Sequence, residues 1–353
     1  MIQTLRRVFL TLLFLSVSTS NTFAAEEKEG GSPLDVMGTV ADHDYLKIPH
    51  FINGGKINLP RFIFLEDAEG NTSFKPYLNT KSAAKSEYFE VVDEVLVATN
   101  GGKIVFDLSI TSHLMYFWFG MGLAVLFTIV MSRRYQKGVG KDVEPKGTLQ
   151  NIFEVLFVFV RDDVARANID DHKADKYVPF FFTMFMGIAF MNLFGLFPWA
   201  ATATADLTVT ATLAVIVFFI IQFSGTKDYW GHIFWFPGVP VGVKILMILV
   251  ELVGLLTKPF ALAIRLFANM LSGKIMIIAI LGLIFIFAEL FGTVGAYGIS
   301  VVSVTLTVVL YALKVFVGLL QAYIFTLLSA VFIGMAAEDH HHGEENYNAE
   351  HVA

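Results

Sequence analysis

An arginine lies near the centre of a long apolar stretch of this sequence. Residues 252–280 read LVGLLTKPFALAIRLFANMLSGKIMIIAI, with Arg265 in the middle. A cation at mid-membrane depth costs about 2.5 kcal/mol or more, so such residues usually face a partner or water. Glu251 and Lys258 precede Arg265 by fourteen and seven residues and Asn269 follows by four, which places the four on about one face of a helix. The pattern predicts a functional polar stripe.

A second set of polar residues accompanies this stripe. Lys274 lies nine residues after Arg265, which turns it about 180° onto the opposite helix face. Lys314 and Gln321 are seven residues apart in the last apolar stretch and share one face. The alternative is that Lys258 and Lys274 extend to the two membrane surfaces and Arg265 only pairs inside a bundle. About 10 Å of helix separates Arg265 from Lys258, so the Arg265 side chain lies too deep to reach the membrane surface easily.

The composition is that of a polytopic membrane protein. Of 353 residues, 55% are hydrophobic and only 16% are charged. The chain has no Cys, so a disulfide framework or a thiolate metal site is excluded. The charges lie in soluble segments without a basic patch, which argues against nucleic-acid binding. Nucleophile elbow, P-loop and HExxH motifs are absent, so we expect no enzyme activity, no cofactor and no metal site.

The N-terminal part reads as an exported segment. Residues 1–24 have a basic start, a short apolar core and a small-residue cleavage site, which predicts a signal peptide. The alternative is an uncleaved first membrane helix. Residues 25–110 turn polar and carry three Gly pairs and short β-type runs, for example at 61–65 and 103–108, so we expect a small exported domain with β character.

Two histidines of this domain, His43 and His50, have no recognisable ligand spacing. We expect them at the surface rather than at a metal.

The rest of the chain predicts an all-α polytopic membrane domain at 111–338, followed by an acidic, His-rich tail at 339–353. We expect about five transmembrane or tilted helices and one interfacial helix. The predicted segments are a first span at about 113–131, an interfacial helix within 148–168, spans at about 178–197 and 207–223, a membrane-surface loop with Trp230, Trp235, Pro237 and Pro240, and apolar stretches at 244–287 and 298–337.

Charge and length add two expectations about this membrane domain. The basic residues between 133 and 146 follow the first span, so the positive-inside rule places them in the cytoplasm and the domain before the span outside. A continuous helix over 244–287 would be about 65 Å long, about twice the hydrocarbon thickness. It therefore folds back or lies steeply tilted, and Pro259 could kink it without ending it.

The arginine helix resembles the signature of subunit a of F-type ATP synthases. The run from Lys258-Pro259 through Arg265-Leu-Phe-Ala-Asn269-Met to Gly273 follows the pattern K-P-x5-R-L-[FA]-x-N-x3-G. The helix around Gln321, with the sequence LQAYIF, is similar to the last helix of that family. Residues 191–198 and 203–213 resemble its middle spans, with Gly195 where a carboxylate is common. The resemblance covers about 111–338, and the N-terminal part is similar to the exported extension of some bacterial members.

The resemblance implies a stator that stands beside a rotating ring of c subunits, each with a membrane-embedded carboxylate. It also implies a bacterial inner-membrane location with a cytoplasmic C-terminus, the partners subunit b and the F1 sector, and transport of H⁺ or Na⁺, while ATP chemistry belongs to partner subunits. An ion-coupled secondary transporter is the alternative, but it would show inverted repeats, and the Arg265 motif has no second copy. A membrane-anchored receptor or structural protein would leave the charges inside apolar helices unexplained.

The resemblance also implies roles for single residues. Arg265 stays charged and faces each ring carboxylate, with two aqueous half-channels offset on either side of it. Gln321 matches the glutamine that supports the arginine, and Glu251 matches an acidic residue on the cytoplasmic side.

The external half-channel departs from the family pattern. Lys274 and Lys314 stand where many members have a Glu/His pair, and two lysines in one water-filled path would repel each other. Glu289 is a candidate for the missing carboxylate. The alternative is that Glu289 lies in an external loop at the membrane surface and that the path runs past Asp206.

Overall fold

The computed structural model describes residues 40–47, 56–67, 69–92, 95–99, 102–138, 147–197, 200–234 and 241–338. The predicted signal peptide, His50, Trp235, Pro237, Pro240 and the tail from 339 onward lie outside these described residues.

The N-terminal region consists of short antiparallel strands and one helical turn. Strand β3 pairs with both β4 and β7, while β1–β2 and β5–β6 form two separate pairs. The elements are β1 Tyr45–Lys47, β2 Lys56–Asn58, β3 Arg61–Glu66, β4 Thr72–Tyr77, helix α1 Thr80–Ala84, β5 Phe89–Val92, β6 Val95–Ala98 and β7 Lys103–Asp107.

Strand β3 forms the centre of this small region because its side chains alternate between its two faces. Ile63 and Leu65 are buried and pack with Ala83, Phe89 and Leu96. The strands expected at 61–65 and 103–108 are confirmed, and they pair with each other.

The remaining chain is helical, and it confirms the predicted fold class. The helices are α2 Ser112–Gln136, α3 Thr148–Val158, a π-helical turn Phe159–Arg166, α4 Asp171–Phe194, a 3₁₀ turn Ala203–Ala205, α5 Leu207–Ser224, α6 Lys227–Phe234 and α7 Val241–Ala337. Within the described residues, α2, α4, α5 and the segment Leu246–Ala337 of α7 are long and apolar enough to cross a membrane. The number of crossings stays a prediction, since the last segment contains two helices.

Helix α4 lies at the centre of the helical bundle. Its apolar window is 72% buried, against 11% for the window of α7. Phenylalanine rings fill the space around it, and Phe153 of α3 packs edge-on against Phe182 of α4 and Phe127 of α2. The α3 segment is therefore anchored to the bundle on one side. By contrast, α7 leaves most of its surface to lipid or to a partner.

Helix α7 is a hairpin of two long arms. Gly292 interrupts it with φ 65° and ψ −163°, a backbone conformation that favours glycine. We call residues 241–291 the first arm and residues 293–337 the second arm. The first arm continues through Pro259 and is about 76 Å long at 1.5 Å per residue, so it cannot stand upright in a bilayer.

The two arms run antiparallel with a constant register. Asn269 donates a hydrogen bond to Gln321, and Lys258 lies over the ring of Phe332. Between these two pairs the first arm steps back eleven residues and the second arm steps forward eleven. This register brings the predicted polar faces of the two arms together.

One local expectation is wrong. Trp230 was expected in a membrane-surface loop, but it lies in helix α6 and stacks on Phe234. The repeat of aromatic residues at 230 and 234 matches one helical turn, which explains why a helix forms there.

Candidate functional site

Arg265 lies on an exposed face of the first arm. Within the described ranges, no carboxylate and no carbonyl lies within ion-pair or hydrogen-bond distance of its guanidinium. A guanidinium is always charged and has five donors. The guanidinium can therefore form an ion pair with a partner outside this chain.

Small side chains surround Arg265 on the same face. Thr257, Ala261, Ala268 and Ser272 stand eight and four residues before it and three and seven residues after it, and all four are exposed. Small residues at this helical spacing allow the backbone of another helix to approach closely in a membrane. The arrangement suits a helix that packs along the first arm and brings a group to Arg265.

Asn269 and Gln321 join the two arms one turn away from Arg265. The Asn269 amide donates to Gln321 Oε1 at 2.8 Å, and Gln321 is only 2% exposed. Gln321 Nε2 is buried without a hydrogen-bond partner among the described residues. A buried donor without an acceptor is costly, so water or a partner's acceptor would be favoured there.

Lys314 crosses between the arms at Gly273. Its ammonium donates to the backbone carbonyl of Asn269. A Cβ at position 273 would overlap Lys314 Cε, so the lysine occupies the space that glycine leaves. The glycine of the signature thus makes room for the lysine.

Lys274 reaches the other way, towards the N-terminal region. Its ammonium donates to the carbonyl of Ala200 at 2.9 Å. The two lysines therefore each have their own carbonyl partner, on different elements. This separation reduces the repulsion that the sequence led us to expect.

Lys274 belongs to a group of charges that we call the domain-side cluster, which consists of Asp42, His113, Asp206 and Lys274. His113 Nδ1 lies 3.1 Å from Asp42 Oδ1 and 3.7 Å from Asp206 Oδ2. Lys274 is close enough to act electrostatically on His113. Three of these residues come from α2, α5 and the first arm, and Asp42 comes from the segment before β1.

Hydrogen bonds hold Asp42 in this cluster. Its Oδ1 accepts from the Ser112 hydroxyl at 2.9 Å and from the backbone N–H groups of His43 and His113 at 3.0 Å. Burial by itself raises the pKa of the Asp42 carboxyl, but the charge and hydrogen bonds of His113 outweigh burial and hold the pKa below its usual range. His43 is half-buried at this junction rather than fully at the surface.

Asp206 has a local structural role as well. It is the N-cap of α5, and its Oδ1 accepts from the Thr208 N–H at 2.6 Å. An aspartate is a preferred residue at this position because it satisfies a free N–H group of the first turn. Its other oxygen faces His113.

The cluster offers the ligand types that divalent metals accept, with three ligand atoms within 4.8 Å of one another. However, the Asp42 oxygen nearest the imidazole already accepts three hydrogen bonds. The nearby ammonium of Lys274 also disfavours a cation. The donor set fits a hydrogen-bonded group of charges better than a metal site.

Thr202 occupies the space beside Gly195, the position where the family resemblance led us to expect a carboxylate. Gly195 caps the C-terminus of α4, and a Cβ there would lie 2.5 Å from Thr202 Cγ2 and 2.9 Å from Thr202 Oγ1. The Thr202 hydroxyl donates to the Gly195 carbonyl at 2.9 Å. A carboxylate side chain does not fit there.

Glu289 lies three residues before the break at Gly292 and is exposed. It follows Lys274 by fifteen residues, about 22 Å along the arm. The described contacts do not bring it to either lysine, whereas Asp206 lies in the same cluster as Lys274. Its proposed channel role stays a prediction that its position does not support.

On the other side of Arg265, a cavity of about 200 Å³ lies between α5, α6 and α7. We call it the far-side cavity. Glu251, Lys258 and Tyr229 contribute its polar lining together with Gln222, whose buried side-chain nitrogen and oxygen have no hydrogen-bond partner in the described part of the chain. Burial raises the pKa of Tyr229, and the charge of Glu251 acts in the same direction. A polar cavity of this size has room for water.

Sequence reasoning missed Asp42, His113 and Gln222. A histidine at the start of an apolar span is a signal that could have identified His113, because an ionisable residue in such a segment marks a functional position by default. Asp42 lies 71 residues away in a polar segment, and the sequence carries no comparable signal for it.

Comparisons with known proteins agree on one family. The sequence profile described as ATP synthase A chain matches residues 114–334. ATP synthase subunit a of Chloroherpeton thalassium is 43% identical over 245 residues, which are 68% of this chain and 70% of that protein. ATP synthase subunit a of Myxococcus xanthus is 40% identical over 248 residues, 69% of this chain and 78% of that protein.

One relative extends the similarity beyond the membrane bundle. ATP synthase subunit a of an Anaeromyxobacter species is 35% identical over 327 residues, which are 88% of this chain and 75% of that protein. Residues 111–353 make up less than 70% of the chain, so this match includes part of the N-terminal region.

Proposed function

The chain belongs to the ATP synthase subunit a family, and we propose from this membership that Arg265 and the polar groups on either side of it form the ion path of the stator. The chain is a non-catalytic membrane subunit of the F0 sector and takes part in ion translocation beside the c-ring. The secondary-transporter alternative is not favoured by a family match that covers the whole helical bundle.

The guanidinium of Arg265, which is exposed and has no ion-pair partner among the described residues, is the observation that supports this assignment most strongly. It stands between two polar regions of the same helix. Lys274 of the domain-side cluster lies about 13 Å further along the arm, and Glu251 of the far-side cavity lies about 21 Å before it. A fixed charge between two hydrated regions is the arrangement that a divided ion path requires.

The charge of Arg265 would act on a carboxylate that the c-ring carries past it. At about 4 Å and an effective dielectric constant near 20, the attraction is about 4 kcal/mol. This energy corresponds to about three pKa units, so the ring carboxylate loses its proton or Na⁺ next to the arginine. The same charge repels cations that would pass directly from one half-channel to the other.

In our proposal, two half-channels meet at Arg265. The domain-side half-channel passes Asp206, Lys274 and Lys314, and the far-side half-channel leads from the cavity at Glu251. Asn269 and Gln321 hold the two arms together beside Arg265, and the free Gln321 Nε2 provides a donor for water or for the arriving carboxylate. Glu289 is left without a supported role in this path.

Membrane orientation is a further part of the proposal. Arg133 and Arg134 occupy the last turn of α2, which supports a cytoplasmic position for that end. The domain at 25–110, preceded by the predicted signal peptide, would then lie outside a bacterial inner membrane, and the C-terminus would be cytoplasmic. Subunit b and the F1 sector are further expected partners, and H⁺ or Na⁺ is the transported ion.

ATP-driven pumping by the assembled complex tests this function. Inverted membrane vesicles are supplied with ATP, and ion uptake is measured for Arg265→Ala at equal amounts of complex. We expect uptake to fall at least about a hundredfold, since roughly 4 kcal/mol of attraction to the ring is removed. Arg133→Ala is the matched control, because it removes an exposed arginine at the end of α2. Pumping by Arg265→Ala within twofold of the control would contradict the stator assignment.

A further inference from the structure

We propose that the N-terminal domain is part of the proton path, and that its Asp42 joins His113 and Asp206 to form the site where protons are taken up. The inference rests on the proposed function, because it concerns the domain-side end of the same path. It adds a residue from outside the membrane bundle and a histidine that no feature of the arginine signature includes.

The three side chains are arranged in depth. The side chain of His113 is 5% exposed, whereas those of Asp42 and Asp206 are 24% and 18% exposed. The two carboxylates are therefore partly exposed at the surface of the chain, and the imidazole lies behind them. A proton that arrives from solvent meets the carboxylates first and the histidine next.

The contact between His113 and the carboxylates is close but incompletely bonded. Nδ1 lies 3.1 Å from Asp42 Oδ1, yet this buried nitrogen has no aligned hydrogen bond in the described part of the chain. A buried polar atom without an aligned partner is rare in folded proteins. Here it faces two carboxylates, a position from which it can exchange a proton with them or with water.

Imidazole chemistry suits this position. A neutral imidazole accepts a proton at one ring nitrogen and releases one from the other, so the histidine passes a proton on and returns to its neutral state. The site is therefore suited to H⁺ rather than to Na⁺.

The acidic residues also offset the positive charge of the lysines in and near the domain-side cluster. Lys274 acts on His113, and Lys47 of β1 is close enough to act on Lys274. Two ammonium groups beside a water-filled path would repel incoming cations. Asp42 and Asp206 offset this charge and raise the local concentration of protons.

The docking of the domain is built around Asp42. Besides the three hydrogen bonds to Asp42 Oδ1, the Ser112 N–H donates to the His43 carbonyl at 2.9 Å. These bonds tie the segment before β1 to the first turn of α2. A purely structural clamp would use the same bonds, so the test must separate charge from shape.

The test uses the full complex in inverted vesicles, where a proton gradient that is acid inside drives ATP synthesis and protons enter from the domain side. The rate of ATP synthesis at equal amounts of complex measures this uptake. Asp42→Asn keeps the shape and the acceptor oxygen but removes the charge, and His113→Gln removes the titrating group. We expect each to lower uptake by about tenfold, the scale on which local charge changes the arrival of ions. Asp44→Asn is the matched control, because Asp44 contacts Arg61 and Thr80 within the domain, and it should stay within twofold.

Chemical modification separates charge from shape. Asp42→Cys is treated with an anionic or a cationic thiol reagent of similar size, since the chain has no native Cys. We expect the anionic reagent to recover at least half of the uptake and the cationic reagent to recover none. Equal recovery with both reagents would overturn the inference in favour of a clamp.

A second outcome would also overturn it. If Asp42→Asn and His113→Gln support ATP synthesis like the unsubstituted chain while Arg265→Ala does not, the stator function stands and the uptake site lies elsewhere. If Arg265→Ala itself pumps normally, the proposed function fails, and the two failures are thereby distinguished.

Discussion

The two ends of the first arm differ in how their polar groups are satisfied. At the domain-side cluster, Asp42 and Lys274 are held by hydrogen bonds, and the charges alternate in sign. At the far-side cavity, Gln222 has no partner for either polar atom and Glu251 has no ion pair within the described residues. Lys258 there lies over the face of Phe332.

This difference indicates two kinds of water access. Fixed, alternating charges select and concentrate an ion before it enters a narrow path. Unsatisfied polar groups around a cavity instead favour water, which supplies the missing hydrogen bonds. Arg265 lies between these two regions. Because its side chain is exposed towards the proposed position of the ring, an ion passes from one region to the other on a ring carboxylate.

The largest effect expected on stability concerns Gly195, the position where the family resemblance led us to expect an acid. Gly195→Asp would force a side chain against Thr202, where a Cβ already lies 2.5 Å from Cγ2. Overpacking of this kind costs about 1–3 kcal/mol. We expect a lower thermal unfolding temperature of the purified complex, with partial recovery in Gly195→Asp/Thr202→Ala. An unchanged unfolding temperature together with faster transport would show that the domain-side end has room for a further acid, which would weaken the comparison.

A smaller effect distinguishes the acids of the two ends. Asp206→Asn keeps the helix cap of α5 but removes a charge of the domain-side cluster, so we expect proton uptake to fall about tenfold. Glu251→Gln changes one charge in a polar cavity that has room for water, so we expect a loss of only about two- to threefold. Both are measured as ATP synthesis driven by a proton gradient in inverted vesicles, where protons enter from the domain side.

Glu289→Gln is the matched control for both variants, because Glu289 is an exposed acid on the same arm, close to the hairpin turn. We expect its uptake to equal that of the unsubstituted chain. A strong loss in Glu289→Gln together with normal uptake in Asp206→Asn would move the external path to the hairpin turn and reverse the assignment.

Periodicity alone predicted the helical part of this site. The 3.6-residue repeat placed Arg265 and Lys274 on opposite faces, and the structure has one exposed and the other turned towards Ala200. The spacing of Lys314 and Gln321 likewise predicted that they share one helix face, and both contact Asn269 of the first arm. These residues lie within single helices, where spacing determines direction.

Helical periodicity could not predict contacts between distant segments. Asp42 and His113 meet because the N-terminal region docks on the first turn of α2, and no periodic relation links them. The expected repulsion between Lys274 and Lys314 considered only sequence position, whereas long side chains reach separate carbonyl groups. The sequence predicted two apolar stretches, at 244–287 and 298–337, and only the backbone angles identify Gly292 as the break between the two arms.

Accessibility of two positions on the first arm tests the central claim most directly. Lys258→Cys and Lys274→Cys stand about 24 Å apart on one helix with Arg265 between them, and each is exposed in turn to a small impermeant thiol reagent on one side of the membrane. Glu87→Cys and Lys137→Cys mark the two sides. We predict that Lys274→Cys reacts only from the side of Glu87 and Lys258→Cys only from the side of Lys137. Reaction of either position from both sides with Arg265 in place would contradict a path divided by this arginine.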